Sequence, residues 1–222
     1  MARIARIVVP DVPHHVTQRG NHRAAIFFAD DDYALYRDLL ATETRRAGVS
    51  VWAWVLMPNH VHLVLAPSRA DGLAAAMGRT HRRYAGYVNA RARRTGRVFQ
   101  ERFSSAPMDE AHVMAAFGYI SLNPVRARLV ARAQDWPWSS VGTHLGLGED
   151  GLTDPGPAAA RIENFADLLT GPAVTPAFAA LRQAEAIGRP LGSADFVTTL
   201  ETRLNRRLTP AKRGPKPKNI GI

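Results

Sequence analysis

Met57-Pro58-Asn59-His60-Val61-His62-Leu63-Val64-Leu65 is the stretch on which the reading of this 222-residue chain turns. Pro58-Asn59 signals a turn, and the apolar, β-branched run after it has strand character. In a strand, side chains at i and i+2 share a face and lie roughly 7 Å apart. His60 and His62 therefore project to one side, while Val61, Leu63 and Leu65 pack on the other. Two neutral imidazoles converging from one face make a platform for a divalent metal. The same short pattern also fits strand histidines that face solvent or bond to neighbours.

Immediately upstream, Val51-Trp-Ala-Trp-Val-Leu-Met57 forms a near-continuous apolar strand, so the Pro58-Asn59 turn predicts an antiparallel hairpin running to Ala66. Further back, His14-His15-Val16-Thr17-Gln18-Arg19-Gly20 reads as another strand. Asp30 to Asp32 offer helix N-caps, and Tyr33, Tyr36, Leu39 and Leu40 recur at helical spacing until Gly48 stops the run. Downstream, Asp71 to about Asn89 is helical, and Asp109 caps a helix that ends near Asn123-Pro124, since the residue before proline is biased away from α. The order β-α-β-β-α-(β)-α predicts an α+β fold with an antiparallel sheet of about four strands flanked by helices. Residues 146–160, rich in Gly, Pro and Ala, read as a linker. Short amphipathic helices are expected at 161–169, 176–187 and 193–207, followed by a basic, proline-broken tail with the character of a disordered segment. No internal repeat of fixed period is found.

The chain is basic, with 29 Lys and Arg against 19 Asp and Glu and a formal charge of +10. Only three of the basic residues are lysine, all in the last eleven positions. Guanidinium groups fork phosphates and stack on flat rings, so the balance points to a polyanion, nucleic acid first; a GC-rich genome would produce part of the same bias. Between Arg79 and Arg102 there are eight arginines and one acid, interleaved with Phe99 near Phe103. Such a stretch either tracks a phosphate backbone or is a solvated helix face and loop. Absence of cysteine excludes disulfides and thiolate metal sites and agrees with a reducing compartment. No segment resembles a signal peptide or approaches the ~18–20 apolar residues of a membrane span, so the expected location is cytoplasmic.

Tyr119 sits on the 109–123 helix, whose apolar stripe Val113, Ala116, Phe117 and Ile120 already supply. Asn123 follows one turn later. The pair could bring a nucleophile and an oxygen ligand to a metal on the histidines, or be a core-edge tyrosine and a helix C-cap.

Four blocks in order, His14-His-Val-Thr-Gln-Arg-Gly-Asn21, Met57-Pro-Asn-His-Val-His-Leu-Val64, Tyr119-Ile-Ser-Leu-Asn-Pro-Val-Arg126 and Asp135-Trp-Pro-Trp-Ser-Ser140, resemble those of the single-tyrosine HUH transposases. More narrowly they resemble the REP-associated tyrosine transposases, within the IS200-like superfamily. The likeness covers about residues 3–145 and extends, less specifically, to Gly188–Phe196 and the basic tail. It implies a ferredoxin-like (RRM-like) HUH core as a catalytic domain over 1–145, a linker over 146–160, a small helical region over 161–208 and a basic tail over 209–222. It also implies that His60, His62 and Asn123 bind Mg²⁺ or Mn²⁺, and that Tyr119 is the nucleophile. Single-stranded DNA folded into imperfect-palindrome hairpins is the implied partner, for a monomer or a homodimer.

The chemistry suits the residues. A phenol with a pKa of about 10 is a weak nucleophile at neutral pH unless it is activated, and a metal on the scissile phosphate makes phosphorus more electrophilic. Because Mg²⁺ prefers oxygen ligands, a site with two imidazoles favours Mn²⁺. Gln18 and Arg19 are expected along the DNA path. Arg79, Arg82, Arg83, Arg97, Arg102, Arg126, Lys212 and Arg213 are expected to contact DNA, and His112, two turns before Tyr119, is a candidate phosphate or proton partner. A non-catalytic hairpin-binding regulator and a metal nuclease using water remain as alternatives.

Overall fold

The computed structural model describes residues 6–171 and 176–209. Its centre is a four-stranded antiparallel sheet built from β1 (His14–Arg19), β2 (Val49–Met57), β3 (His60–Pro67) and β4 (Ser104–Pro107), in the order β2-β3-β1-β4. Helix α1 (Asp30–Ala47) joins β1 to β2, and α2 (Gly72–Arg91) joins β3 to β4. This is the ferredoxin-like β-α-β-β-α-β arrangement, followed by α3 (Glu110–Ser121).

Local chemistry sets these boundaries. Asp32 accepts hydrogen bonds from the amides of Phe28 (2.7 Å) and Ala29 (3.1 Å) at the start of α1. Asp30, Asp31 and Asp32 all lie in its first turn, where the helix dipole favours negative charge. Gly48 ends the helix in the left-handed conformation, φ 65°. Pro58-Asn59 then closes the hairpin with Met57 opposite His60. The register of β2 against β3 slips between Val51 and Ala53, a bulge that turns the strand over. Val51, Trp54 and Leu56 consequently face the α1–α2 layer, while Ala53, Val55 and Met57 face the opposite one. Both faces of the hairpin are buried, which explains its nearly unbroken apolar sequence.

On one side Val16, Val61, Leu63 and Leu65 pack beneath Tyr36, Leu40, Leu73, Met77 and Tyr84 of α1 and α2. Asp32, fully buried, is paired with Arg91 at the far end of α2, with one contact of 2.9 Å. On the other side lie α3 and helices from further along the chain: α4 (Asn123–Arg126), α5 (Val141–His144), α6 (Gly156–Ala159), α7 (Phe165–Thr170) and α8 (Pro176–Ile187). Helix α9 (Ala194–Leu204) closes over the start of the chain, where Leu200 and Leu208 bury Ile7 and Val9.

Both outer edges of the sheet are covered. Along β2, the Leu56 amide donates to Trp138 O (2.9 Å) and the Ser140 amide to Trp54 O (3.0 Å). At β4, the Leu191 amide donates to Pro107 O at 2.8 Å. The stretch 146–160, expected as a linker, does not run as a free spacer. Asp150 accepts from the Trp54 indole (3.1 Å), the Asp154 amide donates to Val51 O (2.8 Å), and Leu152 joins the core. Its few apolar and acidic side chains find partners on β2, and composition alone conceals that. The expected tail, apart from Thr209, lies outside the described residues, and so do Lys212 and Arg213.

Candidate active site

Strand parity places the histidines as expected. His60 and His62 stand on the face of β3 turned toward α3, with His60 partly buried and His62 1% exposed. Their rings meet edge to face at 4.9 Å. The Nδ1 atom of His60 lies 2.6 Å from Asn59 Oδ1. A third histidine, His15, joins them from β1. Its ring lies parallel to that of His62, with an interplanar angle of 5° and centroids 5.2 Å apart, and its Nε2 is 3.1 Å from His62 Nδ1. Burial holds His15 and His60 at about 4, with Arg19 and Arg126 adding to the effect at His60. Burial, with His60, His15, Arg126 and Arg19 behind it, drives His62 well below its usual value. All three rings are therefore neutral at pH 7, the form that ligates metal.

Across from them, α3 brings Tyr119 into place. Asp109 caps the helix by accepting from the His112 amide at 3.0 Å. The helix is regular to Ser121, pauses at Leu122 and resumes as α4 with Pro124 in its first turn, where a missing N–H costs nothing. The Tyr119 ring lies edge-on to His62 at 5.2 Å and to His15 at 5.9 Å. Arg126 sits over the Tyr119 ring, Cζ 4.0 Å from its centroid. From α8, Phe178 packs against the same ring at 5.4 Å. Tyr119 is 4% exposed under this cover.

Asn123 is buried, and its Nδ2 has no hydrogen-bond partner among the described residues. An amide without a partner one turn past Tyr119 suits a ligand role, since rotating it by 180° would present Oδ1 instead. Among the described residues no three His, Asp or Glu side chains form a metal-binding group. The neutral imidazoles of His60 and His62 are the nitrogen donors that the β3 face offers. His112 is not among them: its Nδ1 is 2.6 Å from Asp109 Oδ1, in the N-cap of α3.

Residues 8–123, from just before β1 through Asn123, match the family described as transposase, IS200-like. The chain belongs to the IS200-like transposase family. The fold agrees. A solved structure of a REP-associated tyrosine transposase bound to a REP hairpin superposes with a TM-score of 0.57 at 20% identity, covering 70% of this chain and 90% of that one. A candidate transposase from Deinococcus radiodurans R1 matches with a TM-score of 0.39 at 21% identity, covering 51% of this chain and 91% of the other. No curated protein matches in sequence.

In this transposase the expected basic residues separate into groups. Arg19 lies directly opposite His60 in the sheet, and Arg126 covers Tyr119, so both belong to the site. Gln18 points to the other face, opposite Val61, and its Nε2 donates to the carbonyls of Arg19 (3.1 Å) and Gln100 (3.0 Å). There it braces the 100–102 loop. Arg79 and Arg83 turn toward Glu43 of α1, at 3.9 and 3.0 Å, and tie the two helices together. Arg82, Arg97 and Arg102 line a hollow of about 430 Å³ beside α2, and Arg102 also reaches one of about 350 Å³ at the β1–β4 edge that takes in Thr17, Gln18, Arg19 and Arg182. Glu101 and Arg102 border both. The sequence reading missed His15, Phe178 and Arg182. Alternation along β1 could have placed His15 with Arg19, but only the β1–β3 register puts it beside His62. The transposase has no helix among its described residues long and apolar enough to cross a membrane.

Proposed function

We propose that this chain is a single-tyrosine transposase of the REP-associated kind. It cuts single-stranded DNA beside a hairpin, with Tyr119 as nucleophile and a divalent cation, Mg²⁺ or Mn²⁺, held by His60, His62 and Asn123. The observation that carries this reading is the Tyr119 ring set edge-on to His62 at 5.2 Å, which joins residues 57 positions apart on a strand and a helix. The Tyr119 oxygen forms a bond to phosphorus as the bond from phosphorus to the 3′ oxygen breaks. The phenol gives up its proton and the departing 3′ oxygen gains one. The products are a 5′-phosphotyrosine and a free 3′-OH, and attack by another 3′-OH transfers the strand without nucleotide hydrolysis.

A bound cation would withdraw charge from the phosphate and make phosphorus more electrophilic. Arg126 places a second cation on the tyrosine ring, and Arg19 a third across from His60. Phe178 has to move aside for a phosphate to reach the buried ring. The hollows edged by Arg82, Arg97 and Arg102 suit a phosphate backbone. The hairpin held by the transposase of similar fold supports a folded single strand as partner. We assign catalysis to residues 1–145 and treat 161–208 as a helical addition that covers the site. The burial of Tyr119 favours, as a second reading, a hairpin-binding regulator that does not cut.

The test is a covalent-adduct assay with end-labelled hairpin oligonucleotides from DNA flanking the gene, with Mn²⁺ or Mg²⁺, beside Tyr119→Phe and His60→Ala. A metal-dependent adduct lost in both variants is the expected result. Cleavage without adduct that survives Tyr119→Phe would establish a water nuclease instead. Hairpin binding without cleavage would establish the regulator.

A further inference from the structure

The two histidines proposed as metal ligands each have their Nδ1 atom already engaged, and the partners differ in kind. Asn59 Nδ2 donates to the Arg23 carbonyl at 3.0 Å, which fixes that amide so that Oδ1 faces His60. An amide oxygen only accepts, so His60 carries its proton on Nδ1 and its lone pair on Nε2. At His62 the partner is His15 Nε2, 3.1 Å away between parallel rings in a buried site. One ring must donate and the other accept. If His15 donated, the proton of neutral His62 would sit on Nε2, and neither nitrogen of His62 would remain to bind a cation. If His62 donates, it matches His60, and both rings carry lone pairs on Nε2.

We propose that His15 and Asn59 are positioning residues that hold His62 and His60 in the Nδ1–H tautomer, so that both imidazoles present Nε2 to the cation. This rests on the metal reading above. The role resembles the outer hydrogen bonds that orient metal-bound histidines generally, with an imidazole acting as acceptor where a carboxylate or carbonyl is usual. A merely structural His15 would fill space beside Val64 and Ala106, its neighbours across β3 and β4. Leucine could do that as well, but leucine could not accept the His62 proton. Glutamine could, because its amide oxygen falls near the position of Nε2.

Two measurements decide the matter. Long-range ¹H–¹⁵N NMR of the metal-free protein reads the tautomer directly. His60 and His62 are expected as Nδ1–H in the wild type and in His15→Gln, with His62 turning mixed or Nε2–H in His15→Leu. His62 found as Nε2–H in the wild type would overturn the proposal whatever the metal does. Calorimetric titration with Mn²⁺ is expected to show a ~10–100-fold loss of affinity in His15→Leu and in Asn59→Ala, with His15→Gln within a few fold of the wild type. Wild-type affinity in a folded His15→Leu protein would also overturn it. A wild type that binds no Mn²⁺, with His60→Ala no different, would bring down the metal reading instead, while the NMR result would still decide the tautomers.

Discussion

Tyr119 is held by its ring rather than exposed for attack: Arg126 lies on one side at 4.0 Å, Phe178 at 5.4 Å and His62 at 5.2 Å. Aromatic and cation–π contacts of this kind are worth roughly 0.5–2 kcal/mol each, and all of them survive when only the hydroxyl is removed. Tyr119→Phe keeps these ring contacts and is therefore expected to fold, so that loss of adduct in a variant with a cooperative melting curve reports chemistry. Arg102 has a different part. It borders several hollows at once and has no place on the tyrosine ring. Arg102→Ala should weaken hairpin binding at low salt and reduce the slope of log K against log salt by about 1. An unchanged slope in a binding titration would remove Arg102 from the DNA path. Arg79 and Arg83, tied to Glu43, should show no such change when replaced.

At the level of elements, the unexpected partner of the site is α8. Its Phe178 and Leu181 are buried against the layer that contains α3, and they close a face of the sheet that β1–β4 alone would leave to solvent. Truncating a buried aromatic costs about 3–5 kcal/mol. Phe178→Ala should thus lower the melting temperature by several degrees while raising the rate of adduct formation several-fold on a short single strand. A slower adduct in a protein that is still folded would mean instead that Phe178 helps to aim Tyr119. The α3–α4 break has a simpler cause: Pro124 interrupts the helix at the point where Asn123 must enter the core.

Across the molecule, burial of histidines makes stability depend on pH. Burial holds His14 and His15 at about 4 and His81 at about 3, from an ordinary value of 6.5. Below 6.5 the unfolded chain binds protons that the folded one refuses, so stability is complete above that pH and declines as pH falls toward 4. Urea midpoints should be level from pH 8 to 7 and drop steadily below 6.5. His81→Phe should make that decline shallower, at some loss near neutrality, because the Tyr36 hydroxyl 3.0 Å away loses its partner. A profile equally steep in His81→Phe would place the effect elsewhere. The covered sheet edges carry a second expectation. With Trp138, Ser140 and Asp154 bonded along β2 and Leu191 along β4, no open edge remains at those positions for a second copy to extend. Light scattering should give the mass of one 24.3 kDa chain; a dimer would require another surface.

The sequence by itself determined the elements that depend on local chemistry. Gly48 ends α1, Pro58-Asn59 makes the hairpin, and the alternation of β3 puts His60 and His62 on one face, all within a few residues of the signal that sets them. Ordered motifs likewise marked Tyr119 and Asn123. What only the tertiary structure decided depends on contacts between distant parts of the chain. His15 meets His62 across 47 positions and Phe178 meets Tyr119 across 59. Glu43 of α1 pairs with Arg79 and Arg83 of α2, and the glycine-rich stretch 146–160 folds back onto β2. Periodicity tells which side of an element is buried. Register and packing, settled by burial of the whole core at once, choose which residue waits on the other side.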